Sequence, residues 1–281
     1  MKQFLVSIAL IGAILSFAAC KETGSINAPD DLDQYSNQVL LDWNLAAYEA
    51  MGGITYQHSL LASHINAIMH IAMHDALNAI APRFQTYAFH VKDKEAEPVA
   101  AAASAAYEAL VALLPAQKTM LDSMLAVSLS RVTEGEAKNR GIELGKKAAA
   151  AILLLRENDG AFQDPISPVP PSGGQAGVYQ AVPPFSILFA PFWRTMQPFS
   201  LEKPDQFRIT PMPALTSSTY TEDYNEVKRI GAKDSPYRSA HQTAIAKFWY
   251  EFSEIGWNRV TRTLVSDRKL GLLTAARLFA L

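Results

Sequence analysis

Residues 65–80, INAIMHIAMHDALNAI, set His70 and His74 four residues apart in an apolar run, with Asp75 directly after them. Histidines at i and i+4 share one face of a helix and can hold one metal ion, with a carboxylate assisting. A histidine and an aspartate can also divide general acid and base roles. A third reading is structural: buried polar side chains that hydrogen-bond to neighbouring helices or loops.

The spacing weighs among the three. At 100° per residue, with Asn66 at zero, His70, His74 and Asn78 follow at about 40, 80 and 120°. His64 and Asp75 lie near 160 and 180°, and Ile68, Met69, Ala72, Met73, Ala76 and Ile80 fill the opposite arc. Residues 58–82 contain no Lys, Arg or Glu, whereas a solvent face normally carries them. The glutamate of the zinc-protease motif is missing, since Ile71 follows His70, and no third ligand stands out. Adjacent helical residues point about 100° apart, so His74 and Asp75 are not expected to bond to each other. The residues favour a buried polar seam of Asn66, His70, His74, Asp75 and Asn78, with no metal and no catalytic residue. Losing the Asp75 carboxylate should then lower stability by about 1–3 kcal/mol if its partners are left unpaired.

The elements that position this seam read as helices. Residues 34–52 carry apolar side chains at 39, 40, 43, 46, 47, 50 and 51 and close on a glycine pair. The seam helix runs over 58–81 and ends before Pro82. Residues 97–114 carry a proline in the first turn and are rich in alanine, which favours close helix packing. A further helix runs from Pro115 to about Val132, and Thr133 with Glu136 has capping-box spacing for the next. Residues 164–213 hold eleven of the sixteen prolines, yet carry Phe185, Ile187, Leu188, Phe189, Phe192, Trp193 and Phe199. So many large apolar groups predict an ordered loop wrapped over the helical body, not a solvated linker. Helices resume at Thr216, with Gly231 closing the first. No useful period-two alternation occurs, so the class is all-α, a helical bundle with a long Pro-rich wrapped loop.

Other chemistry is thin. PSGGQAG at 171–177 lacks the lysine and strand–helix setting of a phosphate loop, and no Gly-x-Ser-x-Gly occurs. His241 reads as a surface or capping residue. Phe248, Trp249, Tyr250, Phe252 and Trp257 read as core rather than a ligand cage.

The 281 residues are half hydrophobic, with a net charge of −2 and one cysteine, Cys20. These values suit a globular protein and give no sign of nucleic-acid binding. Residues 1–20, MKQFLVSIALIGAILSFAAC, have a basic n-region, an apolar stretch and small residues before Cys20. They read as a secretory signal, with an apolar part too short for a comfortable membrane span. The segment resembles a bacterial lipoprotein signal, which implies lipidation at Cys20. Residues 21–33 then form a polar tether and 34–281 the helical domain. The expected location is the cell envelope, periplasm or outer membrane, with the membrane as partner through the lipid anchor. Self-association as a homo-oligomer is left open.

Taken in order, WNLAAYEA, INAIMHIAMHDALNAIAP, PPFSILFAPFWRTMQPFSLEKPDQFRITPMPALTSSTYTEDYNEVKRIGAKDS, HQTAIAKFWYEF and WNRVTRTLVSDRKLGLLTAARLFAL run from Trp43 to Leu281. This series resembles the vanadium-dependent haloperoxidase family, within the superfamily of type-2 phosphatidic acid phosphatases. The resemblance implies paired α-helical bundles. It also implies vanadate held by Lys, Arg, Ser-Gly backbone and His, with peroxide-driven halide oxidation. The same oxyanion chemistry suits a phosphatase. Three motifs should carry it: Lys followed seven residues on by Arg-Pro, then Pro-Ser-Gly-His, then Arg with His six later. None occurs in this sequence. In the family they come after the stretch resembling LLTAARLFAL. The apolar stripe at 272, 273, 276, 279 and 280 is also still running at Leu281. The expectation is therefore an N-terminal portion, truncated at its C-terminus. It would bind no vanadate itself, and small-molecule substrates would belong only to the full-length protein. A non-catalytic envelope lipoprotein that binds a partner is the alternative from a different class.

Overall fold

The computed structural model describes residues 32, 34–53, 58–169, 175–208 and 211–281. The signal segment with Cys20, nearly all of the tether and residues 171–174 of PSGGQAG lie outside the described residues. Among those described, the chain is mostly helical: α1 (Gln38–Ala50), α2 (Ser59–Ile80), α3 (Pro98–Leu113), α4 (Lys118–Ser130), α5 (Glu136–Arg156), α6 (Ser218–Ile230), α7 (Ala240–Phe248), α8 (Ser253–Asp267) and α9 (Leu272–Ala280). No described helix is long and apolar enough to cross a membrane.

The core forms where α2 and α3 pack on each other and on α1, α5 and α9. The apolar positions expected on α1 are all buried, with Trp43 fully so and its indole N–H donating to Ser128 Oγ of α4 at 3.2 Å. The alanines of α3 from Ala100 to Ala106 are buried too. They serve close approach. A Cβ on Gly145 of α5 would lie 2.3 Å from Ala101 O and 2.7 Å from Ala105 N, and one on Gly141 would lie 2.5 Å from Glu97 O. Two backbones can meet at that separation only where both sides carry small residues or none.

Several local expectations need correction. Thr133 and Glu136 form no capping box. Gly135 is the N-cap of α5 at φ 152°, which puts Glu136 at the first helical position and not the third. Glu134 instead pairs with Lys138 at 2.5 Å. The chain does contain strands: β1 (Ile166–Pro168) pairs antiparallel with β2 (Ile187–Phe189), Ser167 facing Leu188. Three residues are too few for an alternating pattern to register.

The Pro-rich loop meets the body mainly through its middle, where Ala190 is buried, Trp193 of the 3₁₀ turn Pro191–Thr195 lies against His64 and Phe199 packs on the core, while Val182, Phe185 and Phe207 are exposed. The aromatic cluster is not core. Trp249 is 58% exposed and Tyr250 92%, and Phe248, Phe252 and Trp257 are exposed beside them. Neither α6 nor α7 contributes a buried residue. The rings pack on one another, Trp249 lying 5.8 Å from Trp257 and 5.1 Å from Phe248. Aromatic density in sequence marks apolar surface but does not say what covers it.

Candidate functional site

All five polar residues of the α2 seam are buried. They do not act as one site, because they face three different neighbours. Asp75 and Asn78 point toward the turn that follows α2. Asp75 accepts the backbone N–H of Tyr87 (2.9 Å), Ala88 (2.7 Å) and Phe89 (2.9 Å). Asn78 Oδ1 accepts from Arg83 N and Phe84 N, and its Nδ2 donates to Phe84 O at 2.6 Å. Two short side chains thus satisfy a run of backbone groups that has no regular ladder of its own.

His74 Nδ1 lies 3.1 Å from Asp75 Oδ1, so the adjacent pair does make contact. The expectation from helix geometry fails because both side chains turn toward the 84–89 segment, where His74 also lies against the Phe84 ring at 6.3 Å. Burial alone would raise the Asp75 pKa. The bonds from His74, Ala88, Tyr87 and Phe89 outweigh it and hold the carboxyl below its usual value.

His70 faces another way. Its Nε2 lies 2.9 Å from Asn44 Nδ2 of α1, and its ring stacks on Phe279 of α9 at 4.7 Å. The amide nitrogen can only donate, so Nε2 accepts and the proton sits on Nδ1, which is buried without a partner. Burial pushes the His70 pKa down to about 3, so the ring is neutral. His70 and His74 therefore engage separate partners. Among the described residues, no group of three His, Cys, Asp or Glu stands close enough to hold a metal ion.

Asn44 is the hub of a second polar cluster, which the sequence does not single out. Its Nδ2 also donates to Asn258 Oδ1 at 2.6 Å, and its Oδ1 accepts from Arg262 Nη1 at 2.5 Å. Asn258 Nδ2 donates to Glu254 O, and Ser59 Oγ donates to Glu254 Oε2. A pocket of about 90 Å³ opens between α1, α2 and α8, lined by Asn44, Asn66, Glu254, Asn258 and Arg262, with Tyr48. Asn66 Nδ2 donates to Ala62 O within its helix, which leaves Oδ1 buried with no partner.

A third cluster joins α2, the end of α5 and the Pro-rich loop. Arg156 is fully buried. Its Nε donates to Asp159 Oδ2 at 2.8 Å, its Nη1 to Pro198 O at 3.1 Å and its Nη2 to Gln197 O at 2.5 Å. The guanidinium lies 4.0 Å over the Phe199 ring. His64 Nε2 stands 3.2 Å from the same Asp159 oxygen, close enough for charge attraction but not aligned as a hydrogen bond. Phe162, Trp193 and Phe199 surround the His64 ring. Burial lowers the His64 pKa; Asp159 opposes that and Arg156 adds to it. His241, the second residue of α7, is exposed, and the cap is Ser239 with Gln242 in a capping box.

Neither the Asn44 nor the Arg156 cluster is visible in the sequence, because the contacts that close them, Arg156 to Gln197 and Asn44 to Arg262, span 41 and 218 positions. The one available signal was a lone Arg and Asp at the end of an apolar helix. Comparison with family models, with curated proteins and with solved structures finds no match.

Proposed function

We propose that this chain is the helical scaffold of a vanadium-haloperoxidase-like envelope protein, and that its described residues perform no vanadate chemistry by themselves. The observation that carries the second half is how the buried cations Lys138 and Arg156 and the half-buried Arg262 are used; Lys138 pairs with Glu134. Vanadate needs cationic and amide donors aimed at one open point. Arg156 directs its bonds to Asp159 and two loop carbonyls, with Phe199 across its face. Arg262 shares its pocket with the Glu254 carboxylate, which repels an oxyanion. Neither set fits vanadate, and the same argument applies to a phosphate ester in the phosphatase reading.

The haloperoxidase likeness is supported by the ordered series of sequence stretches from Trp43 to Leu281 and by the mostly helical architecture. A second reading, an envelope lipoprotein that binds a protein partner, is favoured by the exposed aromatic face of α7 and α8. The test is purified 21–281 with vanadate, hydrogen peroxide and bromide, with a phosphomonoester assay in parallel. We expect bromination and phosphate release no faster than without protein. Sustained turnover of either kind that is lost on denaturation overturns the proposal.

A further inference from the structure

The pocket between α1, α2 and α8 holds opposite charges and a bare acceptor in a small space. Arg262 gives one N–H to Asn44, and among the described residues its Nε and Nη2 groups have no partner. Glu254 is only 8% exposed and bonds Ser59 through Oε2 alone, so its second oxygen is available to the pocket. Asn66 is 9% exposed and its Oδ1 is an acceptor with nothing to accept. The orientation of that amide is fixed by its Nδ2, which faces the Ala62 carbonyl at 3.0 Å. An unsatisfied buried acceptor lowers stability, so a native structure keeps one where something else completes it. Asn44 bonds His70, Asn258 and Arg262, and Asn258 also donates to Glu254 O, so both amides are held in place as walls.

We propose that this pocket binds a small zwitterion of the α-amino-acid class, independently of any vanadate-related role. The ligand carboxylate takes the free guanidinium N–H groups of Arg262, which match a carboxylate in pairs. The ligand ammonium donates to Asn66 Oδ1 and to the free oxygen of Glu254. A plain anion meets the Glu254 charge, and a plain cation meets Arg262; only a molecule with both ends satisfies both. The volume of about 90 Å³ is on the scale of three water molecules. It admits an amino-acid backbone with a very small side chain.

The test is calorimetric titration of residues 21–281 with glycine, acetate and methylammonium as separate probes. Glycine should bind at least about tenfold more tightly than either single-charge probe. Arg262→Gln and Glu254→Gln should each weaken glycine by about tenfold or more. Asn66→Leu serves where those variants fold poorly. It removes the unpartnered acceptor at similar volume together with one intrahelical bond to Ala62 O, so glycine affinity should fall while the protein still unfolds cooperatively. Acetate equalling glycine, no heat from glycine at about 10 mM, or unchanged glycine affinity in Asn66→Leu would each overturn the proposal.

Discussion

Replacing Asp75 by Asn changes one atom type and should unfasten the turn after α2. The carboxylate receives three backbone N–H groups, from Tyr87, Ala88 and Phe89, as well as the contact from His74. Asn keeps one acceptor oxygen, but the buried N–H of Phe89 loses its charged partner, which lowers stability by about 1–2 kcal/mol. Tyr87 and Ala88 are half-buried and can recover water, so each adds about 0.5–1 kcal/mol. The sum is a loss of about 2–4 kcal/mol near neutral pH, reaching beyond the range expected from the sequence because three donors converge on one group.

The pH dependence has a fixed sign. The native pKa lies below the unfolded value of 3.8, so the carboxylate's contribution is complete above 3.8. It is lost as the pH falls through the lower native value. Urea unfolding of wild type and Asp75→Asn, followed by circular dichroism across that range, should show a gap that closes in acid. Equal midpoints at neutral pH, or a gap that persists undiminished in strong acid, would refute the reasoning.

Further outcomes follow from other contacts. Gly145→Ala should lower stability by about 2–3 kcal/mol or more in urea unfolding, because its methyl would meet the Ala101 carbonyl at 2.3 Å. Trp257→Ser should change the unfolding midpoint by under about 0.5 kcal/mol, whereas Trp43→Ala should lose about 3–5 kcal/mol; the first is exposed and the second fully buried. Arg156→Met should leave Asp159 buried without its cation, lower stability by about 3–5 kcal/mol and speed proteolysis within 160–198. His70 stays neutral in the fold with a pKa of about 3 against 6.5 unfolded. Acid therefore favours the unfolded state: stability should fall by about 1.4 kcal/mol per pH unit from this group between those values, a slope that His70→Gln removes.

The helices of the body were legible because their apolar residues recur at helical spacing and their ends carry Pro, Gly or polar caps. The α2 face was legible as unusual because charge was missing where solvent would call for it. What it touches was not legible. Asn44 meets Arg262 across 218 positions, and Asp75 meets a turn whose residues carry no signature. Phe248 to Trp257 misled for the opposite reason: ring content measures the tendency to be covered, while exposure depends on the neighbours present. The proposed zwitterion pocket had no sequence signal at all, since it is built from single polar residues on three helices.

The central claim is that the polar residues of α2 hold the fold together. Amide hydrogen exchange at Tyr87, Ala88 and Phe89 tests it most directly. If Asp75 accepts their N–H groups, all three should exchange only with opening of the helical body, and all three should become fast in Asp75→Ala, which leaves no acceptor. Free-peptide exchange rates at these amides in the wild type would contradict the account.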